Sequence, residues 1–170
     1  ATNVIAEGEV LQLLNMHDPD VTQESYLKVI RSKTAKLFEA AAQLGALVSG
    51  ANDAQIDAAG EYGRSLGTAF QLIDDVLDYA GDAAEIGKNV GDDLREGKPT
   101  LPLIYLMEHG TTEQRELVRS CIESGDEAQF DAVLAAITSS GALDYTRREA
   151  ETAAQRAADA IADLPDSVYK

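Results

Sequence analysis

The sequence predicts an all-α protein, and three observations carry that expectation. Its 170 residues are 45% hydrophobic but only 5% aromatic, with no Trp and abundant Ala. That composition suits packed helices better than sheets, which lean on aromatic and β-branched side chains. Apolar residues recur at three- and four-residue spacing, and no segment alternates in the way that demands a strand. Helix start and stop residues punctuate the chain.

The elements follow in order. A first helix is expected from Thr2 to Leu14, broken by the His17-Asp18-Pro19-Asp20 cluster. One long helix is expected from Thr22 or Gln23 to about Ser49, ending near Gly50. Asn52 or Asp53 caps the next, which runs to about Tyr79. Gly81 to Pro99 is rich in Gly and lacks a sustained period, so an extended loop is expected, with room for a short helical turn. A short apolar helix spans Thr100 to His109 and stops at Gly110. Thr111 or Thr112 then caps Glu113 to Glu123, and Ser124-Gly125-Asp126 forms a turn. Two more helices are expected at about Glu127 to Ser139 and Ala142 to Leu164, with Pro165 as the stop. No repeat or linker divides the chain, so residues 1–170 are expected to form a single domain.

Charge narrows the function. Fourteen basic residues face 30 acidic ones, a formal net charge of −16. Such a surface repels phosphate backbones and anionic lipid, so no nucleic-acid partner is expected. One cysteine, Cys121, cannot form an intramolecular disulfide, which suits a reducing cytoplasm. No stretch is apolar for long enough to cross a membrane, so no transmembrane segment is expected. The opening from Ala1 has the pattern of a helix interior, and a cleaved or truncated chain is expected.

The most informative helix carries Phe70-Gln71-Leu72-Ile73-Asp74-Asp75-Val76-Leu77-Asp78-Tyr79. At about 100° per residue, Leu66, Ala69, Phe70, Ile73, Val76, Leu77 and Ala80 share an apolar arc. Gln71, Asp74, Asp75 and Asp78 gather in a stripe of roughly 100° on the remaining face. Asp74 and Asp78 stand one turn apart, where like charges repel unless a cation joins them. Mg²⁺ takes hard oxygen ligands, commonly one or two carboxylates plus substrate phosphates. The plain alternative is a solvated acidic face, to which charge runs usually belong. Downstream, Lys88 and Lys98 lie in a Gly-rich loop, Gly87 to Pro102. Glycines admit backbone N–H groups to an anion, and lysines add point charges. Either lysine alone reads as a surface residue, but an acidic helix followed by a basic Gly loop suits a diphosphate bridged by Mg²⁺. His17 and His109 read as structural or exposed.

Gly67 to Tyr79 followed by Gly87 to Pro102 resembles the second aspartate-rich region of the trans-polyprenyl diphosphate synthases, most closely of their octaprenyl-type members. Asn3 to Leu13 and the Tyr26, Ile30-Arg31-Ser32-Lys33-Thr34-Ala35 segment resemble the same family in the same order. The resemblance implies a helical bundle of the isoprenoid synthase type, here its C-terminal half. It implies a prenyltransferase that condenses isopentenyl diphosphate with an allylic diphosphate, builds a quinone side chain, and commonly forms homodimers. It implies that Asp74 coordinates Mg²⁺ and that Asp75 and Asp78 complete the motif through water and hydrogen bonds. Lys33 and Lys88 would contact the allylic diphosphate, with Lys98 nearby, and Thr34 and Gln71 would line the cavity. The family's first aspartate-rich motif has no counterpart here. The chain alone is therefore expected to be inactive, with exposed helix faces. The rival readings are a non-catalytic subunit of the same fold, an isoprenoid cyclase, and a featureless acidic bundle.

Overall fold

The computed structural model describes residues 1–80, 91–125 and 127–165, and among them there is no strand. Helix α1 spans Thr2–Asn15 and α2 spans Gln23–Ile30. Thr22 caps α2, its side chain accepting the Ser25 N–H at 3.2 Å. A π-helical turn, Arg31–Ala35, then leads without a break into α3, Lys36–Val48. The expected long helix is thus continuous but not uniform. It carries an extra-wide turn where Lys33 and Thr34 stand, a device often found at functional sites.

Two glycines let neighbours close on that turn. A Cβ on Gly8 of α1 would sit 2.6 Å from the Lys33 backbone nitrogen. One on Gly67 would sit 2.7 Å from the Ala35 Cα. Gly67 belongs to α4, Asp53–Ala80, which runs back along α3. Asn52 caps α4: its side-chain oxygen accepts the Gln55 N–H at 3.0 Å, and its own N–H donates to Gln55 Oε1 at 3.0 Å.

Residues 81–90 of the expected loop lie outside the described residues. Past them a short helix, α5, forms at Asp92–Arg95. Helix α6, Leu101–His109, is apolar nearly all round and sits in the core, with Leu101, Leu103 and Leu106 fully buried. Helix α7, Thr112–Ser124, opens on a capping box between Thr111 and Gln114. A 3₁₀ turn at Glu127–Gln129 precedes α8, Phe130–Ser140, so the helix expected from Glu127 starts as a tighter coil.

Helix α9 spans Ala142–Ala160 and packs along α4. It ends well before Leu164, in three-residue turns closed by Ala162 N–H to Asp159 O and Leu164 N–H to Ile161 O. Its last turn carries no base, while Asp159 sits at the negative end of the helix dipole, so nothing stabilises a longer ladder.

Two apolar clusters meet around α4 and α6. One gathers Val76, Tyr79, Leu103 and Leu106 with α7 and α8. The other gathers Tyr26, Ile30, Leu72, Leu101 and Ala150. The apolar arc expected on α4 is therefore split. Of its members Ala69 and Val76 are buried, whereas Phe70, Ile73 and Leu77 are exposed by 40% or more, as are Leu37, Leu44 and Leu47 of α3; Leu72 and Tyr79, outside that arc, are buried. The periodicity marked an apolar face of α4 but not which flank of it the neighbouring helices would cover, nor that Leu72 and Tyr79 would join the core.

Candidate active site

The π turn and α4 face each other across a cavity of about 60 Å³, roofed by Gln12 of α1 and by Lys98 and Pro99. Four of the sequence candidates line it: Lys33, Thr34, Gln71 and Lys98. Thr34 donates its hydroxyl to Gln71 Oε1 at 2.9 Å. That bond fixes the Gln71 amide, whose Nε2 then donates to Asp75 Oδ1 at 3.0 Å and reaches Asp74 Oδ2 at 3.4 Å. Lys33 spans to α1, where it pairs with Glu9 Oε2 at 2.8 Å and donates to Gln12 Oε1 at 2.5 Å.

The three aspartates occupy different environments. Asp74 is half-buried, within reach of the Gln71 amide. Asp75 has no exposed surface and accepts the phenol hydroxyl of buried Tyr26 on Oδ2. Lys98 Nζ lies 3.8 Å from Asp75 Oδ1 and 2.9 Å from Asp93 Oδ1. Asp78, half-buried, accepts the Asp93 N–H at 3.2 Å. Burial pushes the Asp75 carboxyl up to about 6, with Lys98, Tyr26 and Gln71 opposing and the Asp93 charge assisting. Burial, then the Asp93 carboxylate, pushes Asp78 up to about 7. Burial works against the Lys98 charge, but Asp75 and Asp93 more than offset it and raise that ammonium's pKa. One lysine thus serves a cluster of carboxylates that outnumber it.

Lys88 lies outside the described residues. Among the described residues, no three His, Cys, Asp or Glu side chains come together as a cage that could hold a metal ion by themselves. The donors nonetheless suit a hard cation that shares its ligands with a substrate. Asp74 and Asp78 offer carboxylate oxygens one turn apart, and Asp78 is held in a burial that disfavours its uncompensated charge.

Several contributors escaped the sequence reading. Tyr26 is the buried partner of Asp75, and Asp93 bridges Lys98 and Asp78. His17 is a third. It is the one described non-glycine residue at positive φ, 61°, a conformation that β-carbons resist. Its N–H donates to Gly97 O at 2.8 Å, its ring lies over Gly97, and Nδ1–H donates to Ile122 O at 2.9 Å. It thereby staples the segment bearing Lys98 to α7. The Asp/Pro cluster beside His17 was the available signal, but it announced only a turn.

An aspartate-bearing helix facing a lysine-lined cavity inside an all-α bundle defines an isoprenoid synthase type of protein. Residues 1–138 match the family model described as polyprenyl synthetase, and the chain belongs to that family. It is 53% identical to octaprenyl diphosphate synthase of Escherichia coli, over 100% of this chain and 53% of that protein. It is 46% identical to the all-trans-nonaprenyl-diphosphate synthase (geranyl-diphosphate specific) of Rhodobacter capsulatus, over 98% of this chain and 51% of that one. The crystal structure of a Caulobacter crescentus polyprenyl synthase, complexed with calcium and isoprenyl diphosphate, superposes with a TM-score of 0.91. It is 44% identical, covering 97% of this chain and 51% of that one. The chain thus spans about half the length of these relatives. No helix among the described residues is long and apolar enough to cross a membrane.

Proposed function

We propose that residues 1–170 form one domain carrying the allylic-diphosphate half of a prenyltransferase site. The whole protein would condense isopentenyl diphosphate with an allylic diphosphate to build a long-chain, octaprenyl-type product for a quinone side chain. The observation that supports this best is the gathering of Lys33, Thr34, Gln71 and Lys98 around one cavity beside Asp74 and Asp75.

In this reading Lys33 leaves Glu9 and turns to the diphosphate, exchanging one anionic partner for another. Lys98 is already positioned by Asp93, and Lys88 would supply a further point charge for the diphosphate. Thr34 holds the Gln71 amide so that its dipole faces the cavity in a fixed orientation. Asp75 anchors α4 through Tyr26, which leaves Asp74 and Asp78 as the carboxylates for Mg²⁺. When bound there, Mg²⁺ would supply positive charge to the departing diphosphate. A cytoplasmic location and a homodimer belong to the same proposal. The exposed leucines of α1 and α3 offer apolar surface for packing against the rest of the fold or a second copy.

Calorimetric titration of farnesyl diphosphate, with and without Mg²⁺, tests the assignment. Binding should require Mg²⁺ and should weaken at least tenfold in Asp74→Asn, the size expected for losing a charged ligand. Equal affinity without Mg²⁺, or in the variant, would overturn it.

A further inference from the structure

A second groove, of about 370 Å³, opens between the π turn, α4 and α9 and shares no lining residue with the candidate active site. Arg31, Arg64 and Arg156 line it, one from each of these three elements. Ser65, Thr68 and Ala153 complete its floor, and Glu61 is its one acidic lining residue. Glu61 is already engaged, pairing with Arg64 and accepting the Ser65 hydroxyl at 3.0 Å. The Thr68 hydroxyl is spent on Arg64 O at 2.8 Å. The Arg31 and Arg156 guanidiniums have neither an ion pair nor a hydrogen bond to any described residue.

That arrangement runs against the rest of the molecule. With 30 acidic residues against 14 basic ones, a surface cation here should find a carboxylate easily. Instead two unpaired guanidiniums converge on one concavity, where they repel each other unless an anion joins them. Guanidinium forks match the oxygens of a phosphate, and the groove falls within the size range of small-molecule sites.

We propose that the Arg31–Arg64–Arg156 groove is a separate, metal-independent site for a compact phosphate-bearing anion. Arg31 and Arg156 provide the charge, and Arg64, held by Glu61, provides the wall. Thr68 and Arg64 lie about one and two turns before Gln71 on α4. An anion there adjoins the candidate active site along the same helix without sharing its ligands.

Titration of inorganic diphosphate in EDTA tests this, because chelation removes any divalent cation from the aspartate helix. The expected result is one saturable site, unaffected by Lys33→Gln and weakened about tenfold or more in R31Q/R156Q. Both arginines are exposed, so the variant should melt at the wild-type temperature. R31K/R156K, which keeps the charge and loses the forks, should show intermediate affinity. Glycerol phosphate in parallel separates a phosphate ester from a free phosphate species as the preferred ligand. Absence of saturable binding in EDTA, or wild-type affinity in R31Q/R156Q, overturns the proposal. Neither outcome bears on Mg²⁺-dependent binding of farnesyl diphosphate, so the two sites are judged separately.

Discussion

Replacing Tyr26 with Phe removes one oxygen atom from the core and nothing else. Tyr26 is 4% exposed and Asp75 not at all, so the hydrogen bond is made away from bulk solvent. Phe fills the same ring volume, and the cavity contribution is small. The loss therefore depends on what the hydroxyl does for the carboxyl group. A hydrogen bond to an ionised group contributes about 1.5–3 kcal/mol, and one between neutral groups about 0.5–1.5. Asp75 titrates at about 6 in the folded chain against 3.8 ordinarily, burial being the main cause. It is neutral at pH 5 and ionised at pH 8. Tyr26→Phe should thus cost about 1 kcal/mol at pH 5 and ~2–3 kcal/mol at pH 8.

The background moves the same way. A carboxyl whose folded pKa is raised contributes stability that is complete below 3.8 and lost as pH rises through about 6. For Asp75 that loss is about 3 kcal/mol in all, at ~1.36 kcal/mol per pKa unit, and roughly half of it falls between pH 5 and pH 8. The wild type should already weaken over this range, and the variant more steeply. Urea denaturation followed by circular dichroism at the two pH values measures both slopes. An equal loss at pH 5 and pH 8, or a smaller one at pH 8, would refute the claim that Tyr26 stabilises the anion.

Other consequences can be tested alongside. His17→Ala should destabilise the chain by about 1 kcal/mol and speed amide exchange in residues 91–100, because the staple to Gly97 and Ile122 is cut; unchanged exchange there would remove His17 from the positioning of Lys98. Gly67→Ala drives a methyl group toward the Ala35 backbone and should lower stability by ~1–3 kcal/mol in thermal melts. A neutral result would mean that α4 and the π turn are not tightly apposed. Thr34→Val should cost about 1 kcal/mol and release the Gln71 side-chain amide, visible as broadening of its NMR signals.

The parts of this architecture that could be read from the sequence are those written locally. Thr22, Asn52 and Thr111 announce helix starts because a cap acts on the next three residues, and each appears where its neighbours require it. The all-α fold follows from the same local grammar. What pairs across elements left no such trace. Asp74 and Asp75 look alike in sequence, yet one is half-buried and the other is sealed under Tyr26, a residue 49 positions away. Lys33 was legible as a cation but not as the partner of Glu9. The flank of α4 left exposed, with Phe70 and Leu77, depends on which neighbours cover it, and hydrophobic period says nothing of that.

The wide turn at Arg31–Ala35 also has a consequence for how one rod can serve two neighbours. An extra residue in an otherwise regular helix advances everything after it by about 100° of azimuth. Upstream, Tyr26 and Ile30 point into the cluster shared with α6. Downstream, α3 lies along α4. A straight helix would have to choose between those directions, or bend. Here the twist is absorbed in one turn, and Lys33 and Thr34 stand on the step between the two phases. Deleting a single residue from that turn would leave a better helix, yet it would aim one of its two faces at solvent.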